Sequence, residues 1–253
     1  MISGLGRYIG TWNRRMGKQA ACGFLSCALL LSAAGLVSAE EPAVHTHEAE
    51  MLNNLHLLQG TDQGFELEMT FTRAQGATML LRLFGLEAAA VSSAEQPAVF
   101  SDMPTDHWAY KHVTYAYDQG YVHGVTDSTF APESNMSGSQ FIALTLRALG
   151  YKEAEPSQAG ELAVTSGLLT AEEAKPLTST ATFLRDDMVE VAYRAIQTKL
   201  KDSQQTLLQK LVEDDQVISV ADAKESGLYQ VSAASSDDPM DQIEQALENA
   251  LGN

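Results

Sequence analysis

The stretch Phe100–Tyr151, FSDMPTDHWAYKHVTYAYDQGYVHGVTDSTFAPESNMSGSQFIALTLRALGY, carries the pattern that decides the fold. A helical segment runs from Trp108 to Asp118 and ends at Gly120, and a second amphipathic segment ends at Gly150. A helix, a glycine turn and a second helix form one supersecondary unit, which cannot bury its apolar face alone. The stretch therefore predicts a repeat protein.

Two further copies flank this unit. The first copy covers residues 45–88 and has a truncated start, the second covers residues 99–151, and the third, which is degenerate, covers residues 152–200. In the first two copies, the second helix starts eight positions after a phenylalanine, and a closing glycine follows twelve positions after that start. These positions are Phe65, Arg73 and Gly85 in the first copy, and Phe130, Gly138 and Gly150 in the second. In the third copy Arg185 occupies the helix start.

The second helix of each copy has a predicted N-cap and an apolar stripe at helical spacing. The predicted caps are Thr72, Ser137 and Thr182, and Asp106 is the predicted cap of the helix that begins at Trp108. Three amphipathic helices of similar length bury their stripes on one another. The sequence thus predicts an all-α chain with a central three-helix bundle, outward-projecting helix-turn segments and at most minor strand pairing.

Residues 1–39 are predicted to be a signal peptide. Four basic residues precede an apolar run from Ala20 to Val37, and small residues ending at Ala39 form a signal-peptidase site. A membrane anchor is the alternative, because a run of about 18 residues is near the lower limit for a spanning helix. Both cysteines, Cys22 and Cys27, lie in this segment, so we expect no disulfide in the exported chain. Because cleavage also removes the apolar run, we expect no membrane span in the exported chain.

The charge of the chain excludes several classes of partner. The formal net charge is −17, and removal of four basic residues and no acidic residue leaves 12 basic against 33 acidic residues, a balance of −21. Binding to nucleic acid by counterion release is therefore excluded. An anionic ligand has to be held by a few placed cations rather than by the overall field.

The C-terminal part differs from the repeats. Residues 201–231 are predicted to form a helical extension that docks against the third copy, through a short amphipathic helix around Leu207 and Leu211. Residues 232–253 combine a polar linker with a terminal acidic amphipathic helix.

The second copy resembles the S-layer homology repeat. The matching residues are F-S-D-M-P, H-W-A, A-Y-D-Q-G-Y-V-H-G, S-T-F-A-P and L-R-A-L-G-Y, and the first copy resembles the end of that repeat in T-F-T-R-A-Q-G-A-T-M-L-L-R-L-F-G. The resemblance implies a three-pronged spindle of three repeats around the central bundle. It also implies an exported protein at the bacterial cell wall or cell surface, attached non-covalently to a pyruvylated secondary cell-wall polysaccharide. The alternative is an envelope protein whose degenerate repeats no longer bind glycan and which assembles with other envelope proteins.

Arg73 is the strongest candidate for an anion site. It stands in the first helical turn after the cap Thr72, so guanidinium donors and free backbone N–H groups are expected to point at the same space. A pyruvyl carboxylate suits such a seat. Thr72 and Gln75 of the T-R-A-Q motif and Gly124 of the glycine turn are further predicted ligand-binding positions.

The remaining candidates keep two interpretations each. Arg185 fills the place of Arg73 in the third copy, where the adjacent Asp186 and Asp187 either orient or neutralise it, and Gly138 replaces the arginine in the second copy. Trp108 either stacks on a sugar ring or packs within the protein. Asp102 is a weaker candidate for ligand binding, since its carboxylate is also suited to cap a turn.

No catalytic constellation or cofactor motif is recognised, so the chain is interpreted as a binding protein and not an enzyme. The polar group His45, His47, Glu48 and Glu50 has metal-ligand chemistry, but it lies at the new N-terminus and is expected to be solvated. The sequence therefore predicts no metal site.

We expect the exported protein to begin at Glu40, because the small residues at Ala39 complete the cleavage pattern. N-terminal sequencing of wall-extracted protein checks this cleavage. Recovery of the intact residues 1–39 in membrane fractions would contradict it.

Overall fold

The computed structural model describes residues 44–93, 97–179 and 182–229, which belong to one compact unit within Glu40–Asn253. In these ranges the chain forms ten α-helices and no β-strand, so the predicted all-α class is confirmed. The helices are α1 (Thr46–Asn54), α2 (Arg73–Leu83), α3 (Glu87–Ser92), α4 (Tyr110–Asp118), α5 (Gly138–Ala148), α6 (Ala159–Thr165), α7 (Ala171–Ser179), α8 (Arg185–Gln197), α9 (Leu207–Gln209) and α10 (Val220–Glu225). A 3₁₀ turn, Pro156–Gln158, precedes α6, and a π-helical turn, Lys210–Asp214, follows α9. The three-pronged outline stays a prediction.

Local signals set the ends of α2 and α5 as predicted. Thr72 and Ser137 are the N-caps, and each forms a capping box with a glutamine three residues later. Gly85 and Gly150 follow the helices with φ of 68° and 107°, which a side chain would disfavour.

Two predicted caps are wrong. Thr182 does not cap α8, because the helix begins after Leu184, whose backbone N–H donates to Asp187 Oδ2 at 2.7 Å. Asp106 does not cap α4, because the helix begins at Tyr110. Instead, the N–H of Ala109 donates to Nδ1 of His107 at 3.1 Å.

The helices interlock in a ring of three repeats. Among the second helices, α5 packs on both α2 and α8. Each first helix packs on the second helix of the preceding copy: α4 on α2 and α6 on α5, while α1 closes the ring on α8. The apolar stripes are buried in one continuous core. No copy therefore completes its core with its own residues alone.

Backbone hydrogen bonds reinforce this ring where second helices begin. At the start of α2, the N–H groups of Arg73 and Ala74 donate to the carbonyls of Ser134 and Pro132 at 2.9 and 3.0 Å. At the start of α8, the N–H groups of Arg185 and Asp186 donate to the carbonyls of Met69 and Leu67 at 2.8 and 2.9 Å, respectively. The start of a second helix thus docks on the loop of another copy, which fixes the two copies together.

Gly138 serves the same purpose at the start of α5, but by close approach. A Cβ added at Gly138 would lie 1.8 Å from the carbonyl oxygen of Leu177 and 3.0 Å from the ring of Phe183. Leu177 stands eight residues before Arg185, the place that Phe65 and Phe130 hold before Arg73 and Gly138. Glycine is therefore required here by packing between the second and third copies.

The C-terminal extension covers the ends of the central helices. Its α9 packs on α8, as predicted. The N–H of Lys201 donates to the carbonyl of Leu149 at 2.9 Å, and a Cβ added at Gly85 would meet side-chain atoms of Val217 and Leu211 within 3.0 Å. The predicted signal peptide and the terminal helix in residues 232–253 lie outside the described residues.

Among the helices in residues 44–229 that the structure describes, none combines the length and the apolar character needed to cross a lipid bilayer.

Replacement of Gly138 by alanine is expected to destabilise the protein by about 2 kcal/mol or more, because a backbone carbonyl fills the space of the new methyl group. The urea midpoint of purified protein measures this loss. Gly160→Ala is the matched control, since its methyl group would meet only Thr178 side-chain atoms at 3.3 Å and should change stability by less than about 1 kcal/mol. Equal midpoints for both variants would contradict the close packing.

Candidate functional site

Two surface grooves lie between adjacent copies and share one design. Groove A, of about 140 Å³, is lined on its polar side by Arg73, His123, Gly124, Gln140, Arg147 and Glu155. Groove B, of about 260 Å³, is lined on its polar side by Gln59, Thr61, Gln75, Arg82, Trp108 and Arg185. Gln75 and Gln140 hold equivalent positions of the repeat, as do Arg82 and Arg147. Each groove thus gathers two arginines in a strongly acidic chain.

Arg73 in groove A is almost fully buried, with 7% of its surface exposed. Its Nε donates to the carbonyl of Phe130 at 2.8 Å, its Nη2 donates to the carbonyl of His123 at 2.9 Å, and its guanidinium carbon lies 4.6 Å from the centre of the Phe130 ring. Burial lowers the pKa of Arg73, while the charge of Asp102 acts to raise it. Arg73 therefore ties α2 to the second copy as well as lining the groove.

The expectation of free backbone donors beside Arg73 is wrong. The first two N–H groups of α2 donate to Ser134 and Pro132, and the N–H of Gln75 donates to the Thr72 hydroxyl at 3.3 Å. Any anion bound in groove A has to be held by side chains rather than by this helix terminus.

Arg185 in groove B repeats the Arg73 contact. Its Nε donates to the carbonyl of Phe65, at 2.8 Å. The two neighbouring aspartates have other partners, since Asp187 caps α8 through Leu184 and Asp186 accepts from the N–H and the ring of His45 at 2.9 and 3.0 Å. Neither proposed role for the aspartates, to orient or to neutralise Arg185 by direct pairing, matches these contacts.

The other predicted site residues divide between the grooves and the turns. Trp108 lines groove B with 57% of its surface exposed, and Gln75 lies beside it. Thr72 is engaged in the capping box of α2. Gly124 lines groove A, but a Cβ there would also lie 2.3 Å from the carbonyl of Thr126, so the turn itself requires glycine.

Asp102 stabilises the loop that carries Phe130. Its carboxylate accepts the N–H groups of Phe130 and Ala131 at 2.8 and 2.7 Å. Desolvation raises the pKa of Asp102, but these hydrogen bonds and the charge of Arg73 outweigh it, so the pKa lies below its ordinary value. Asp102 acts on groove A indirectly, by holding the carbonyl that Arg73 binds.

Arg82 and Arg147 are groove residues that the sequence interpretation missed. Both occur three residues before the closing glycine of their copies, and this repetition is the signal that was available. Arg82 pairs with both carboxylate oxygens of Glu87 at 2.7 and 2.6 Å. Arg147 donates to the carbonyl of Tyr121 at 3.2 Å and reaches Glu155 at 3.4 Å.

The polar N-terminal group is partly fixed. The expectation that it is solvated is wrong for His45, which is half-buried and bonded to Asp186. Within the described residues no group of three or more histidine, cysteine or acidic side chains is arranged to hold a metal ion.

Comparison with known proteins identifies the repeat. A sequence profile of the S-layer homology domain matches residues 99–142. The chain is 32% identical over 115 residues to a cell surface protein of Thermoanaerobacter kivui, a match that covers 45% of this chain and 15% of that protein. It is 30% identical over 154 residues to the middle cell wall protein of Brevibacillus brevis, covering 56% and 14% of the two chains. An endoglucanase of a Bacillus strain is 44% identical over 86 residues, covering 34% of this chain and 8% of the enzyme. The matches thus span no more than 15% of the length of these relatives.

Asp102→Asn is expected to destabilise the protein by about 1–2 kcal/mol at neutral pH, because the amide has one acceptor oxygen for two backbone donors. The folded-state pKa is lowered, so this stabilisation is present above the unfolded value near 3.8 and is lost as pH falls through the lower folded value. Urea unfolding from pH 7 to pH 2 should therefore show a difference in unfolding free energy between the wild-type protein and Asp102→Asn that disappears in acid. The exposed Asp106→Asn variant makes the same charge change and should unfold with nearly the wild-type free energy at every pH. A destabilisation of Asp102→Asn that does not change with pH would contradict this role of Asp102.

Proposed function

Because the chain contains an S-layer homology domain, we propose that it binds a pyruvylated secondary polysaccharide of the bacterial cell wall through grooves A and B. The match to the S-layer homology domain and the similarity to a cell surface protein and a cell wall protein support an exported protein at the cell surface that attaches to the cell wall. The attachment is non-covalent, and the pyruvyl carboxylate is the group that distinguishes the ligand from neutral wall glycans.

The observation that supports this ligand is the convergence of two arginines in each groove. The chain carries 33 acidic and 16 basic residues, so its overall field repels anions. Groove A nevertheless places Arg73 and Arg147 at its surface, and groove B places Arg82 and Arg185. Guanidinium groups bind carboxylates through paired, charge-assisted hydrogen bonds. The exposed indole of Trp108 in groove B adds an aromatic face suited to stack on a sugar ring.

A second candidate function is supported by Gly138, which replaces in the second copy the arginine found at Arg73 and Arg185. There the carbonyl of Leu177 fills the space of an arginine side chain beside Gly138. An envelope protein that has lost one groove in this way is also suited to assemble with other envelope proteins instead of binding glycan. Loss of wall binding after chemical removal of the secondary polymer separates the two functions.

We infer no enzymatic activity for this chain. The match to the endoglucanase covers only 8% of that enzyme. Anchoring by the S-layer homology domain explains the match without shared catalysis.

Arg73→Lys is expected to weaken binding to pyruvylated wall polymer about tenfold to hundredfold, or about 1.5–3 kcal/mol, because lysine cannot form the planar paired contacts of a guanidinium. Titration of purified wall fragments measures the loss. Arg194→Lys is the matched control, since Arg194 lies on α8, lines neither groove and pairs with Glu173.

Near-UV circular dichroism has to show intact packing in both variants. Unchanged affinity of a folded Arg73→Lys variant would exclude groove A as the binding site. If the wild-type protein bound walls equally with and without the secondary polymer, the assembly function would replace glycan binding.

A further inference from the structure

Arg82, Arg147 and Arg194 hold the same position in the three copies. Each stands nine residues after the first residue of α2, α5 or α8, and each contacts a carboxylate. The three arginines are chemically identical, so any difference in their capacity for a ligand depends on these acidic partners.

Two of the three arginines have closer carboxylate partners than the third. Arg82 donates through Nε and Nη2 to both oxygens of Glu87, which is the paired geometry that a ligand carboxylate would otherwise adopt. Arg194 pairs with Glu173, whose side chain is largely buried. A ligand would have to break a well-formed ion pair to reach either arginine.

Arg147 is engaged weakly. Its contact with Glu155 spans 3.4 Å from Nη2 to Oε1, close to the outer limit of a hydrogen bond, and the Glu155 side chain is 54% exposed. The ring of His123 lies 3.9 Å from the same carboxylate oxygen. This carboxylate stands at the mouth of groove A and is held by few constraints.

The guanidinium of Arg147 is also incompletely satisfied. Only 6% of its surface is exposed, and its Nε is buried without a hydrogen-bond partner among the described residues. A buried donor without a partner is rare in proteins and indicates that a water molecule or a ligand group binds it. Arg147 and Arg73 line the same groove, so the charge that an anion needs is already assembled there.

We propose that Arg147 binds the carboxylate of the ligand in groove A. In the free protein Glu155 contacts Arg147, and the ligand carboxylate displaces Glu155 from this arginine. The proposal deepens the proposed function and rests on it. Exchange of one carboxylate for another conserves the charge of the groove, and the released Glu155 side chain returns to water. Glu155 thereby sets the affinity of groove A and excludes neutral sugars that cannot compete for Arg147.

The test is a calorimetric titration of the exported protein with methyl 4,6-O-(1-carboxyethylidene)-glucopyranoside, which carries a pyruvyl ketal carboxylate. Glu155→Gln should tighten binding about tenfold, because the internal competitor is removed. Glu153→Gln is the matched control, since this exposed residue lies in the same segment and its substitution makes the same charge change. The 4,6-O-ethylidene glycoside, which lacks the carboxylate, should not respond to either substitution.

Arg147→Lys should weaken binding of the carboxylate probe at least about tenfold in both the wild-type and the Glu155→Gln background. A thermal melt checks that the variant is folded. Glu155→Gln stays informative even if Arg147→Lys unfolds, because Glu155 is an exposed side chain.

The outcomes separate this inference from the proposed function. Equal affinities of Glu155→Gln and Glu153→Gln, or no probe binding by any variant, would overturn displacement at Arg147, whereas wall binding by the wild type would still support the proposed function. Tighter probe binding by Glu155→Gln alone, without binding to the wall polymer, would support displacement and exclude that polymer as the ligand.

Discussion

The contact between the start of a central helix and a backbone carbonyl of another copy is the constraint on which the structure depends. Arg73 reaches the carbonyl of Phe130, Arg185 reaches that of Phe65, and Gly138 allows the carbonyl of Leu177 to approach directly. These contacts couple the first copy to the second, the second to the third and the third to the first. Because each first helix also packs on the second helix of the preceding copy, the ring shares one core and no copy is independent.

The same contact explains why the grooves lie where they do. A buried guanidinium needs acceptors for its donors, and the carbonyls of Phe130 and His123 supply them without neutralising its charge. The positive charge of Arg73 therefore remains available at the boundary between copies. In the proposed function, Arg73 combines structural attachment with anion recognition, so the geometry of the groove depends on the contacts between the copies.

Carboxylates determine how much of this positive charge a ligand can use. Glu87 forms an ion pair with Arg82, and Glu173 forms one with Arg194. The exposed Glu155 contacts Arg147 only at 3.4 Å. In a chain with twice as many acidic as basic residues, the placement of a few glutamates matters more than the total charge. We therefore expect residues outside the repeated motif to give the three copies different capacities for a ligand.

The sequence by itself determined the all-α class and the ends of α2 and α5, because caps and left-handed glycines act within a few residues. The division into three copies stays a prediction. The sequence also identified Arg73 and Arg185 by their equivalent positions. Only the tertiary structure decided that Arg73 binds carbonyls of the second copy, that Gly138 faces Leu177 and that Arg147 is left with a loose partner. Many of these contacts join residues from different copies, and spacing along the chain does not specify which loop meets which helix. The short motif around Arg73 identified this arginine as a candidate, but only packing between copies placed the carbonyls of Phe130 and His123 beside it.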